Sequence, residues 1–225
     1  MKKVVLINGS PRHEERTASA GFLTHVEAIL KDGEYEKQLV NVCKSLKNGP
    51  DADYAKLLEA DAIVFAFPLY YFCLPGLLTH FLEDYEKYLR EHGEQKKHAK
   101  VYAIVNCGFP EPEINEEAVR VIGCFSHHIG ARFRFGVMIG GGPMISEIEG
   151  AGPTKKAYEK LEAAIRMMDS DIRSEVVEAP QNVPIQPSFP RRLYLFMGGM
   201  GWKRQAKKNG IKKADLYRRP YQKVE

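Results

Sequence analysis

Cysteine is scarce and follows no pattern. The chain of 225 residues holds four, Cys43, Cys73, Cys107 and Cys124, with no CxxC pair and no metal-ligand spacing. That excludes a zinc ribbon and a disulfide scaffold, and reduced thiols of an intracellular protein are the expectation. No internal repeat and no low-complexity tract occurs, so solenoids and arrays are excluded. The opening MKKVVLINGSPR has only Val4 to Ile7 as an apolar stretch, so no signal peptide and a cytoplasmic location are expected.

Charge is absent from one long run. AIVFAFPLYYFCLPGLLTHFL, residues 62–82, contains no Asp, Glu, Lys or Arg. About 20 apolar residues are enough for a helix to span a bilayer. Pro68, Pro75 and Gly76 nevertheless divide this run, and each proline removes a backbone donor and tends to end regular structure before it. AIVFAF has the length and composition of a buried strand, and PLYYFCLP reads as a loop. Leu78, Phe81, Leu82, Tyr85 and Leu89 then recur at helical spacing. A strand, a loop and a helix replace the membrane span.

What is present is alternation. Strands are predicted at KKVVLIN, EKQLVNV, AIVFAF, KVYAIVN and ARFRFGVMIGG. Helices are predicted from about Thr17, from Tyr54 to Glu59, over 76–90, from Asn115 to Ile129, and across TKKAYEKLEAAIRMMDSDI. VVLI, IVFAF and VYAIV are apolar on both faces, as in a parallel sheet with helices on both sides. The expected fold is α/β, a doubly wound five-stranded parallel sheet. Ligands of such sheets lie beyond the carboxyl ends of the strands. Attention therefore falls on the segments after the first, third and fourth strands.

The first segment, NGSPRHEERTA, leads from a strand into a helix whose free N–H groups favour an anion. Ser10 and Thr17 add hydroxyls, and Arg12 and Arg16 add charge suited to a phosphate. It matches neither GxGxxG nor GxxxxGK[ST], which speaks against a dinucleotide fingerprint and a P-loop. An ordinary junction with Thr17 as helix cap accounts for the same residues. The second, PLYYFCLPG, offers Tyr70, Tyr71 and Phe72 between prolines, suited to a flat ring or equally to core or interface packing. The third, NCGFPE, has Gly108 for close backbone approach. Its Cys107 has no partner base to make it a nucleophile.

INGSPR, FPLYYFCLPGLL and VNCGFPE, in this order, resemble the NADPH-dependent FMN reductase family, flavodoxin-like NAD(P)H-dependent flavoprotein oxidoreductases. The resemblance covers about residues 1–175. It implies one non-covalent FMN per subunit, with NAD(P)H as co-substrate and a quinone, nitro or azo compound, free flavin or similar small molecule as acceptor. By motif position, Ser10, Arg12, Thr17 and Ala18 would hold the phosphate. Pro68, Leu69, Tyr70, Tyr71 and Phe72 would flank the isoalloxazine and ribityl chain, and Asn106, Cys107, Gly108 and Phe109 would approach the pyrimidine side. It also implies a homodimer or higher homo-oligomer. The chain reads ERT where many members read GNT or SNT, and it lacks the cysteine cluster of iron–sulfur flavoproteins. A flavodoxin-type electron carrier and a flavin-free binding or regulatory module on the same fold are the rival functions.

Charge is divided unevenly. Residues 191–225 carry eleven Lys and Arg against two Asp and Glu, a net +9, which leaves 22 against 27, a net −5, for residues 1–190. The break follows the proline-rich APQNVPIQPSFP. The expected organisation is a flavodoxin-like domain over 1–175, then a crossing segment and basic arm over 176–225. LYLFMGGMGW followed by KRQAKKNGIKK suits an arm over the domain or a neighbouring subunit, with Trp202 buried. A membrane-surface element is the less favoured alternative, and no nucleic-acid partner is expected.

Overall fold

The computed structural model describes residues 1–12, 17–31, 33–96, 98–147 and 152–219. It divides into two compact units, Met1–Ser188 and Phe189–Glu225. In the first, β1 (Lys2–Asn8), α1 (Ala18–Ile29), β2 (Tyr35–Asn41), α2 (Val42–Asn48) and α3 (Asp51–Leu58) are followed by β3 (Ala62–Pro68) and α4 (Gly76–His92). Then come β4 (Lys100–Asn106), α5 (Glu116–His128), β5 (Arg132–Ile139), α6 (Gly142–Glu147), α7 (Lys155–Arg173) and β6 (Val183–Ile185). The strands form one parallel sheet in the order β2-β1-β3-β4-β5-β6.

Alternation of side chains along β3 explains the layers. Ile63, Phe65 and Phe67 enter one core with Tyr54 of α3, Phe81 and Tyr85 of α4 and Ile122 of α5. Ala62, Val64 and Ala66 enter the other with Phe22 and Val26 of α1 and Leu161, Ile165 and Met168 of α7. Both faces are dry, which is why the central strands are continuous apolar runs.

The sheet has six strands where five were expected, and the first unit continues to Ser188 beyond the expected boundary at 175. β6 is three residues long and contains Pro184, so neither length nor alternation reveals it. As an edge strand it tolerates a proline. It is attached by Gly140 N–H donating to the Ile185 carbonyl at 2.8 Å and by Gly136 N–H donating to Asn182 Oδ1 at 2.7 Å.

The crossing chain that delivers β6 is anchored at the opposite end of the sheet from the carboxyl ends of the strands. Arg134 is buried and donates to both carboxylate oxygens of Asp171, at 2.9 and 2.8 Å, and Tyr102 donates to the same group at 2.6 Å. The remaining guanidinium donors take the carbonyls of Val176, Val177 and Glu178 at 2.8 to 3.0 Å. Burial alone would raise the Asp171 pKa. The hydrogen bonds and charge of Arg134, with the Tyr102 hydroxyl, outweigh it and hold the carboxyl below its ordinary value.

The second unit comprises α8 (Arg191–Lys208) and a 3-10 turn, Lys213–Tyr217. Ile211 N–H closes back on the Ala206 carbonyl at 2.9 Å, and Ala206 is the buried residue of α8. Trp202, expected to be buried, is 78% exposed in the single chain. No helix among the described residues is long and apolar enough to cross a membrane.

Candidate functional site

The site is assembled at the carboxyl ends of β1, β3 and β4. After β1, Asn8 Oδ1 accepts the Ser10 N–H at 3.0 Å and bends the chain, leaving Ser10 only 3% exposed. Gly9 has no room for a side chain, because a Cβ would lie 2.9 Å from Leu78 Cδ2 and 3.0 Å from the Phe67 Cβ. Thr17 caps α1, its Oγ1 accepting the Ala20 N–H at 3.2 Å. The first turn of α1 carries no acidic residue, so the positive end of the helix is not neutralised from within.

After β3, Leu69 N–H donates to the Asn106 carbonyl at 2.8 Å. Tyr70 and Cys73 then exchange two backbone hydrogen bonds, both of 3.0 Å, around a turn formed by Tyr71 and Phe72. Both turn residues are left-handed, with φ of 48° and 60°. Side chains pay for this conformation in strain, about 1–2 kcal/mol each. The turn projects Tyr71 wholly into solvent and leaves Phe72 60% exposed. Phe72 faces Phe109 from the next loop, with ring centroids 6.3 Å apart and planes 19° from parallel.

After β4, buried Asn106 joins all three segments. Its Nδ2 donates to the Phe67 carbonyl at 3.1 Å and to Ser19 Oγ of α1 at 3.2 Å. Cys107 N–H donates to the Ile139 carbonyl at 3.0 Å. Burial pushes the Cys107 thiol up from its ordinary pKa, against weaker opposing hydrogen bonds from the Phe109 backbone and Asn115. It therefore stays protonated at neutral pH and is a poor nucleophile.

The string GGGP, Gly140 to Pro143, is part of this construction. Gly141 N–H donates to the Phe109 carbonyl at 2.7 Å and Gly142 N–H to the Cys107 carbonyl at 2.8 Å. A Cβ on Gly140 would lie 2.3 Å from the Pro110 oxygen, and one on Gly142 would lie 2.7 Å from Asn106 Cβ. The absence of side chains is a packing requirement there.

A cavity of about 830 Å³ opens among these loops. From the first segment it takes Ser10, Arg12, Thr17 and Ala18; from the second, Pro68, Leu69 and Tyr70; from the third, Asn106, Cys107 and Gly108. Tyr71, Phe72 and Phe109 lie outside it. They border an adjoining hollow of about 350 Å³ that shares Leu69, Tyr70, Cys107 and Gly108 with the main cavity. Arg16 lies outside the described residues. Sequence reasoning missed Ser19 and Thr24 on α1 and Pro143 and Ser146 on α6. Helical period from Thr17 could have found Thr24, with Ala20 and Gly21 that also line the cavity, whereas Ser19 lies two residues from Thr17 and the α6 pair depends on the fold of the glycine string. Arg12 is the one charged side chain among the described lining residues.

Residues 2–122 match the family described by its flavodoxin-like fold. The chain belongs to that family. The strand order supports the same flavodoxin-like assignment, with β6 added at the edge. A NADH:FMN oxidoreductase in its apo form is similar with a TM-score of 0.56 and 18% identity, over 86% of this chain and 98% of that one. For an NADPH-quinone reductase from P. pentosaceus the values are 0.55 and 14%, over 78% and 99%. The general stress protein 14 of Treponema denticola, in complex with FMN, gives 0.52 and 15%, over 77% and 100%. At these identities the likeness is one of fold. No curated protein matches the chain in sequence.

Proposed function

We propose that the protein is an FMN-dependent NAD(P)H oxidoreductase that reduces a small-molecule acceptor, such as a quinone, a nitro or azo compound, or free flavin. The observation that carries this reading is the single cavity formed where three loops converge at the carboxyl ends of β1, β3 and β4. Its donor set fits FMN. An α-helix N-terminus with no acid in its first turn, the hydroxyls of Ser10 and Thr17, and the Arg12 guanidinium together suit a phosphate monoester. Pro68, Leu69 and Tyr70 suit a flat ring beside it. The volume lies within the range of roughly 300–1,000 Å³ usual for such ligands. The names of the similar structures agree: they are NADH:FMN and NADPH-quinone enzymes and an FMN complex.

In this reading Ser10, Arg12, Thr17 and Ala18 hold the phosphate. Pro68 to Tyr70 flank the ring system and ribityl chain, and Asn106 to Gly108 approach the ring edge. When bound, FMN supplies the two-electron redox chemistry. The chain's contribution is placement. Asn106 ties the three loops to one another, and the Tyr70–Cys73 turn sets where its aromatic tip projects. Tyr71, Phe72 and Phe109 form an apolar rim around the mouth where NAD(P)H and then the acceptor enter. No general acid or base is assigned. The same exposed rim supports a homodimer, and a cytoplasmic location fits the reading.

The test is the visible spectrum of the purified protein, identification of what heat releases from it, and anaerobic addition of NADPH. Rapid two-electron bleaching of a yellow protein supports the proposal. A yellow protein that NADPH leaves oxidised supports an electron carrier. A colourless protein that FMN cannot reconstitute supports a binding or regulatory module.

A further inference from the structure

We propose that α8 is a seat for an anionic lipid surface, holding the protein on a membrane without crossing it. The inference is independent of the flavin reading. The stretch 193–202 of α8 carries apolar side chains on opposite faces of the helix. Leu193, Phe196, Met197 and Met200 share one face at helical spacing, while Leu195 and Trp202, seven residues apart, occupy the opposite face. All six are exposed. A protein groove covers one side of a helix, so it would bury one of these faces and leave the other in water. A helix that is apolar on opposite faces belongs in a medium that surrounds it.

Cations bracket this segment. Arg191 and Arg192 precede it, and Lys203, Arg204, Lys207 and Lys208 follow, all exposed. The apolar stretch 193–202 is about 15 Å long at 1.5 Å per residue. A bilayer core is about 30 Å thick, so a submerged helix with both ends returning to the headgroups is the geometry these lengths allow. Long Lys and Arg side chains reach the phosphates from such a depth. The net +9 of residues 191–225 selects an anionic surface.

Glycine content supports the same partner. Gly198, Gly199 and Gly201 lie within the helix, and no neighbour lies where their Cβ atoms would be. Three interior glycines weaken a helix in water, and nothing packs closely enough there to require them. Against lipid, backbone groups must bond within the helix, which favours helix formation. Nucleic acid is disfavoured because the six exposed apolar side chains separate the two groups of cations and offer phosphates nothing.

Trp202 is the only tryptophan in the sequence, so tryptophan emission reports this segment alone. The experiment mixes the full-length protein with vesicles of phosphatidylglycerol and phosphatidylcholine, and separately with pure phosphatidylcholine. The expected result is a shift of emission to shorter wavelength and protection from acrylamide quenching with the anionic vesicles only. Salt should reverse it, since the Debye length falls from about 10 Å at 0.1 M to about 3 Å at 1 M. Charge reversal at Lys203→Glu, Arg204→Glu, Lys207→Glu and Lys208→Glu should lower the vesicle-bound fraction at least about tenfold. If that variant fails to fold, the salt titration of the unmodified protein decides. Unchanged emission with anionic vesicles overturns the proposal, as does an equal response to neutral ones. A blue shift that grows with protein concentration without lipid overturns it in favour of a second copy. A shift with duplex DNA that vesicles cannot compete away overturns it in favour of nucleic acid.

Discussion

At the scale of single residues, two positions separate stability from function. Tyr71 is left-handed and fully exposed, so its side chain contributes strain and no burial. Asparagine tolerates that conformation. Tyr71→Asn should therefore stabilise the protein by about 1 kcal/mol, read as a higher urea midpoint at unchanged slope. If the rim serves acceptor entry, turnover falls while stability rises. Arg12 makes the opposite case. Among the described residues it makes no ion pair with a carboxylate, and Arg12→Ala should leave the urea midpoint unchanged. Loss of one charge-assisted contact should weaken FMN binding about tenfold or more, measured by recovery of flavin fluorescence on dilution. Cys107 tempts a reader of the sequence, but its burial and raised pKa make it a packing residue. Cys124 is the exposed thiol, and iodoacetamide should modify it well before Cys43 or Cys107.

At the scale of elements, the glycine string and the Arg134 anchor show what periodicity cannot express. Gly140→Ala would drive a methyl group against the Pro110 backbone oxygen, which cannot move like a side-chain tip. A cost of about 1–3 kcal/mol is expected, visible as a lower melting temperature. Asp171→Asn leaves Arg134 buried with half its partner, and should cost about 3 kcal/mol or more. The pH dependence follows from the lowered folded-state pKa of Asp171. Its contribution is complete above the unfolded carboxylate value, near pH 4, and is lost as pH falls through the lower folded value. The variant should show a flatter acid limb in melts between about pH 5 and pH 2. The main strands and the five expected helices were legible because buried strands are continuous apolar runs and α1, α3, α4, α5 and α7 each turn apolar residues inward. α2 was missed because seven residues, VCKSLKN, carry too little pattern. β6 was missed because its pairing is decided by where Arg134 and Asn182 hold the chain.

At the scale of the molecule, the division after Ser188 predicts where the chain opens first. Trypsin should cut at Arg191 or Arg192 before it cuts the sheet domain, leaving a fragment close to 1–188. Mass spectrometry of a brief digest checks this, and early cuts inside β1 to β5 would contradict it. The location of the site was legible for a topological reason, since parallel strands place their following loops at one edge. Its internal division was not. Nothing in YYF or NCGF reveals that Tyr71, Phe72 and Phe109 lie outside the main cavity, because that depends on a left-handed turn.

The near-neutral lining of the cavity has a consequence for protons. No carboxylate, lysine or histidine lines the cavity among the described residues. On the proposed function, no described lining carboxylate, lysine or histidine would supply the proton that accompanies a hydride, and water at the open mouth is the source that reading predicts. The rate should then vary little between about pH 6 and pH 9, inside the range where His and acidic side chains would otherwise leave a bell-shaped profile.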